Sequence, residues 1–183
     1  LPTCHGRFAM IDAPPATARL GFARRFQLWV PGLIVLFDQV TKAIVRRTLP
    51  LHESVTVIPG LVDFTHIRNT GAAFGFLNGV EFPYKTVVIA IVATAALVGV
   101  AWYAAGLAHH QTLARAGLAL IIGGATGNLI DRVVAGSVVD FVDVYWRSHH
   151  FWAFNVADSA ISVGVAIMIL DMIGVSRHAS SPV

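Results

Sequence analysis

Four stretches of the chain are almost continuously apolar: about Phe26–Val45, Thr86–Ala108, Leu113–Val134 and Ala153–Val175. Each is close to the roughly 20 residues that a helix needs to cross about 30 Å of hydrocarbon. The pattern therefore predicts four transmembrane helices. Between the first two, the period changes. His52–Ile58 alternates β-branched and polar residues (Ser54-Val55-Thr56-Val57-Ile58), Pro59-Gly60 breaks the run, and Leu61–Arg68 reads as a second strand. A small β-sheet on the membrane surface is the natural reading of this β-rich loop, which spans 46–85. Glu81-Phe82-Pro83-Tyr84 returns the chain to the second helix with aromatics at the interface. Residues 1–25 show no periodicity and read as a flexible tail. Residues 26–175 form one four-helix membrane domain, and 176–183 are a short second tail.

Composition strengthens this reading. Of 183 residues, 56% are hydrophobic and 13% charged, about half the charge of a soluble domain. A net charge of +3 raises the question of nucleic acid, but the placement of the cations answers it. Arg7, Arg19, Arg24 and Arg25 precede the first apolar run, Arg115 with His109–His110 marks the connector between the second and third, and Arg177–His178 follows the fourth. By the positive-inside rule these segments are cytoplasmic. The predicted fold is thus a membrane all-α protein with both termini cytoplasmic and an extracytoplasmic sheet. The loop 46–85 and the connector from Ala135 to Trp152 are then external. Cys4 is the only cysteine, which excludes an internal disulfide and a cysteine metal site.

Candidate chemistry concentrates at one interface. Asp140 lies in Val138–Phe141 and Asp158 in Phe154–Ser159, flanking the connector between the third and fourth helices. Antiparallel helices bring both carboxylates to one face of the membrane, where ionisable groups are costly and usually serve a function. Two carboxylates in contact split their titration, so one takes a proton from water while the other polarises an amide carbonyl. No metal or other cofactor is needed. The competing reading makes Asp158 a helix cap and Asp140 a loop residue. Gly127-Asn128-Leu129-Ile130-Asp131-Arg132 ends the third helix with polar groups, Asn155 precedes Asp158 by three residues, and Arg68-Asn69-Thr70-Gly71-Ala72-Ala73-Phe74-Gly75 offers a close approach to a substrate backbone. Asp131–Arg132 could equally be a structural ion pair. Asp38 and Lys42 have the i, i+4 spacing of a helical ion pair, which can stabilise the fold, bind a polar substrate group or relay a proton. Asp143 is a rival to Asp140 within the pair. A small transporter with a polar path through Asp38, Lys42, Asp131 and Arg132 is a second class of function, and a non-catalytic binder of lipidated peptides a third.

Five blocks now stand in order: Asp38-Gln39-Val40-Thr41-Lys42, Arg68–Gly75, Gly127–Arg132, Val138–Phe141 and Phe154–Ser159. With them, spread over residues 38–159, the chain resembles the bacterial signal peptidase II family of membrane aspartyl proteases over nearly everything beyond the N-terminal tail. The resemblance implies a catalytic pair of Asp140 and Asp158, supported by Asn69, Asn128, Arg132 and Asn155, with Asp38 and Lys42 important to the first helix; Gly71, in the stretch expected to clamp the peptide, is added as a substrate-binding candidate. It implies cleavage of the signal peptide just before a diacylglyceryl-modified cysteine, in the bacterial inner membrane at its extracytoplasmic face. The implied partners are prolipoproteins and membrane lipids, with no nucleic acid, and a monomer suffices. The chain departs from the family in a longer N-terminal tail and in Phe151-Trp152-Ala153, where the family often carries proline.

Overall fold

The computed structural model describes residues 16–71, 77, 79, 80, 82–147 and 149–179, with backbone only for 16–28 and 175–179. The described residues form four helices, α1 (Ala16–Thr48), α2 (Lys85–Gly106), α3 (Thr112–Ala135) and α4 (Val156–Ala179). A four-stranded antiparallel sheet completes the fold, in the order β1 (Ser54–Ile58), β2 (Val62–Asn69), β3 (Val138–Trp146) and β4 (His149–His150). Among the described residues, α2, α3 and the Val156–Gly174 part of α4 are long and apolar enough to cross a membrane. The second half of α1 instead carries Asp38, Lys42, Arg46 and Arg47. That helix also starts earlier than the apolar pattern suggests, because Ala16-Thr17-Ala18-Arg19-Leu20 is rich in helix formers. The rest of the expected tail, 1–15, lies outside the described residues.

The sheet is larger than the two strands expected from the loop 46–85. The connector after α3 contributes β3, whose register places Asn69 opposite Val138 and Ile67 opposite Asp140. Its sequence, Val138-Val139-Asp140-Phe141-Val142-Asp143-Val144-Tyr145-Trp146, is strongly β-forming. Its strand character went unrecognised because the stretch was assigned to a connector.

Helix α3 is the hub, packing against α1, α2 and α4. Glycine makes this closeness possible. A Cβ on Gly124 would strike the Ala157 carbonyl oxygen of α4, and one on Gly127 would lie 2.6 Å from Asp38 Oδ2 of α1. Helix α3 ends at Gly136, which takes the left-handed conformation at φ 71° and donates its N–H to the Arg132 carbonyl at 3.1 Å. That glycine stop turns the chain directly into β3.

The outward surfaces are apolar. Ile91, Val92 and Trp102 of α2 are 62%, 63% and 83% exposed. An aqueous protein rarely shows so continuous a patch, whereas a lipid solvent accepts it.

Candidate active site

Asp140 is the third residue of β3, and Asp158 lies in the first turn of α4. One bridge joins their segments. Phe154 pairs with Val142, donating its N–H to the Val142 carbonyl at 3.0 Å and accepting the Val142 N–H at 2.8 Å. The start of α4 is thereby laid beside the strand that carries Asp140.

Asn155 then ties the two carboxylates together. It is fully buried and donates Nδ2–H to Asp140 Oδ1 at 2.7 Å. Its Oδ1 accepts the Asp158 backbone N–H at 2.9 Å, and its own backbone N–H reaches Asp158 Oδ2 at 3.2 Å. This reciprocal pair is a capping box. Asn155 is therefore the N-cap, the role that the competing reading gave to Asp158. The remaining oxygens are held likewise: Asn69 Nδ2 donates to Asp140 Oδ2 at 3.1 Å, and Asn128 Nδ2 to Asp158 Oδ1 at 2.8 Å. All four carboxylate oxygens thus accept a neutral N–H. Among the described residues, no lysine or arginine lies within ion-pair distance of either aspartate. Burial pushes the Asp140 carboxyl up to about 7, and the charge of Asp158 adds to the rise. The hydrogen bonds from Asn69 and Asn155 and the positive charge of Lys42 oppose it.

Both aspartates line a cavity of about 910 Å³ whose polar end also holds Asn69, Asn128 and Arg132. The remainder is apolar, running along α2 from Val88 to Val100 and faced by Ile121 and Ile161. At 1.5 Å per residue that wall is about 18 Å long. Gly71 is buried beside the polar end, its N–H donated to Asn69 Oδ1 at 2.9 Å and its carbonyl receiving Arg132 Nη2 at 3.0 Å. Ala72–Gly75, in the stretch expected to approach a substrate, lie outside the described residues.

Asp38 and Lys42 form the expected ion pair at 2.7 Å, both fully buried. Asp38 also accepts the Ala157 N–H of α4 at 3.0 Å. Asp131 pairs with Lys42 at 2.7 Å and with Arg46 at 2.6 Å, and not with its neighbour Arg132. Sequence neighbours on a helix point apart, while Asp38, Lys42 and Arg46 recur every four residues along one face. That spacing was a legible signal for Arg46, which the sequence reading assigned to the loop. Gln39 was also missed; it donates to the Asp38 carboxylate and the Gly127 carbonyl, each at 3.1 Å. Asp143 bonds His150 at 2.8 Å and does not line the cavity. Three residues along a strand from Asp140, it falls on the opposite face.

Apolar helices around a mainly apolar cavity with two carboxylates at its polar end define a polytopic membrane protein with a polar site at one end of its bundle. Residues 30–174 match the family described as Signal peptidase (SPase) II. The lipoprotein signal peptidase of Geobacter sulfurreducens is 50% identical over 155 residues, covering 85% of this chain and 95% of the relative. That of Pseudomonas putida is 42% identical, covering 92% and 97%. A bacterial membrane enzyme solved by the in meso method superposes with a TM-score of 0.75 at 32% identity, covering 86% of this chain and 94% of its own. The chain belongs to the signal peptidase II family.

Proposed function

We propose that this protein is an aspartyl endopeptidase that removes the signal peptide from diacylglyceryl-modified prolipoproteins, cutting just before the lipidated cysteine. The observation that carries the reading is a pair of carboxylates, Asp140 buried and Asp158 half-buried, held only by neutral amide donors at the head of a long apolar groove. Family membership supplies the substrate class. The groove suits an apolar helical signal peptide and acyl chains, whose burial from water is worth about 0.8 kcal/mol per CH₂. Since both molecules already reside in lipid, that apolar fit serves mainly to set the depth of the scissile bond.

The chemistry follows from the pair. With one proton shared between Asp140 and Asp158 near neutrality, the ionised carboxylate removes a proton from a water lying between them. The protonated carboxyl hydrogen-bonds the scissile carbonyl oxygen and transfers its proton to it as water adds to the carbonyl carbon, which becomes tetrahedral. Collapse of the diol breaks the C–N bond, and a carboxyl delivers the proton to the departing amine of the lipidated cysteine. Asn69, Asn128 and Asn155 fix the carboxylates, and Arg132 with Gly71 frames the polar end. Asp38 and Lys42 lock α1 against α3 and α4.

Helix α1 completes a four-span bundle in this reading. Trp29, Leu33, Leu36, Phe37, Val40 and Ile44 are exposed and recur at helical spacing, while Asp38 and Lys42 face inward. Such a helix presents lipid-compatible residues outside and its ions inside. Both termini then lie in the cytoplasm, and sheet and dyad sit at the extracytoplasmic face of the bacterial inner membrane. The domain comprises 26–175, and a monomer contains the whole site.

The test is cleavage by detergent-solubilised protein of a prolipoprotein with and without its diacylglyceryl group. Cleavage of the lipidated form alone, abolished in Asp140→Asn and in Asp158→Asn, is the expected result. Lipopeptide binding with no hydrolysis by well-folded wild type would make the protein a binder, and activity surviving both substitutions would displace the dyad.

A further inference from the structure

Asn128 poses a problem of orientation. A carboxamide is nearly symmetric in shape, so its neighbours alone decide which end is oxygen and which is nitrogen. Its side chain stands between Asp158 Oδ1 at 2.8 Å on one side and two donors on the other: Lys42 Nζ at 2.9 Å and Asn155 Nδ2 at 3.2 Å. Asn155 is a weak anchor for this purpose. Its Nδ2 is also committed to Asp140 Oδ1 at 2.7 Å and to the Val139 carbonyl at 3.3 Å. The Lys42 ammonium is fully buried; it donates to Asn128 Oδ1 at 2.9 Å and to Asp38 Oδ2 at 2.7 Å, while Asp131 Oδ2 stands 2.7 Å away as an ion-pair partner without a hydrogen bond.

We propose that Lys42 is a positioning residue for the reaction, fixing the Asn128 amide so that its Nδ2–H must point at Asp158. A flipped amide would set N–H against the ammonium and oxygen against the carboxylate, two repulsions in a medium of low dielectric. Lys42 therefore acts on Asp158 through Asn128, without touching the aspartate. The ion pair that fastens α1 into the bundle also orients the hydrogen bond that holds one member of the reacting pair. The inference rests on the reading of Asp140 and Asp158 as that pair.

The chain has four asparagines, Asn69, Asn78, Asn128 and Asn155, so selective ¹⁵N-asparagine labelling gives a side-chain amide spectrum simple enough to assign by substitution. Three proteins are compared: wild type, Lys42→Met, and Asp131→Asn. The last disturbs the same ion cluster but no bond of Asn128. In Lys42→Met the Asn128 amide signal moves or broadens, and kcat on a diacylglyceryl-modified peptide falls about 100-fold, the cost of a small misplacement of a reacting group, with KM little changed. In Asp131→Asn the melting temperature falls while the Asn128 signal and kcat stay near wild type. The proposal is overturned if the Asn128 signal is unmoved in Lys42→Met, or if both variants lose kcat alike and in step with stability. Should wild type not cleave the peptide at all, the functional reading fails separately, and the amide spectra alone decide whether Lys42 sets Asn128.

Discussion

Two acidic clusters sit within one bundle, and they are neutralised differently. Asp38 and Asp131 are matched by cations, Lys42 between them and Arg46 beyond, with every member but Arg46 almost wholly buried. Asp140 and Asp158 have only amides on their oxygens and open on a cavity. A carboxylate clamped by a cation in contact fastens one helix to another. One held by neutral donors, beside a second carboxylate, keeps a proton within reach of neutral pH. Under the proposed function, the same residue type serves as a fastening in one cluster and as a reagent in the other, with the partner deciding which.

The strongest way to break the comparison is to substitute within each cluster. Asp140→Asn or Asp158→Asn should lower cleavage about 10⁴-fold or more, as loss of a reacting group does, while circular dichroism and detergent gel filtration remain as in wild type. Asp38→Ala should do the reverse. It leaves the buried Lys42 with Asp131 alone, which Arg46 shares, and strips the Ala157 amide of its acceptor, a loss of up to about 3–5 kcal/mol, visible as a large fall in melting temperature and yield. A reacting role for Asp38 would instead leave a stable, inactive protein.

Packing offers a smaller test. Gly124→Val places a side chain against the Ala157 carbonyl, one residue from Asp158. An overpacked contact costs about 1–3 kcal/mol, so both stability and kcat should decline together. An unchanged Tm would show that α3 and α4 are less closely joined than described.

The finest test is the pH profile. With Asp140 near 7, the rate should be bell-shaped and fall about tenfold per pH unit once the pair has lost its shared proton. The Asn69 bond pulls Asp140 down, so Asn69→Ala should carry the alkaline limb upward by roughly a pH unit or less. Movement to lower pH would contradict the described bond. Asp140 is also raised above its unfolded value. The native state is thus favoured below about pH 4 and loses that contribution as pH rises through 7. Asp140→Asn should accordingly stabilise more at pH 8 than at pH 5, read as the difference in Tm.

Much of this was legible in the chain. Long apolar runs located all four helices, and alternation found β1 and β2, because each signal is local. Asp140 and Asp158 stood out because charge near lipid is conspicuous. The carboxamides were harder to place. No periodicity reveals that Asn155 touches both aspartates and Asn128, since that depends on the bridge from Phe154 to Val142. Arg46 was misplaced because the apolar run ends before it while the helix does not. Strand β3 escaped notice because half of its pairing lies in β2, some 70 residues earlier.

The Phe154–Val142 bridge carries a consequence for biosynthesis. Asp140 emerges with the first three helices, but its partner arrives on the fourth, and only the closing of that backbone joint sets them side by side. A chain caught before its last helix has inserted holds half a site and no reagent. If the pair is the reacting one, as proposed, cleavage has to wait until topology is complete.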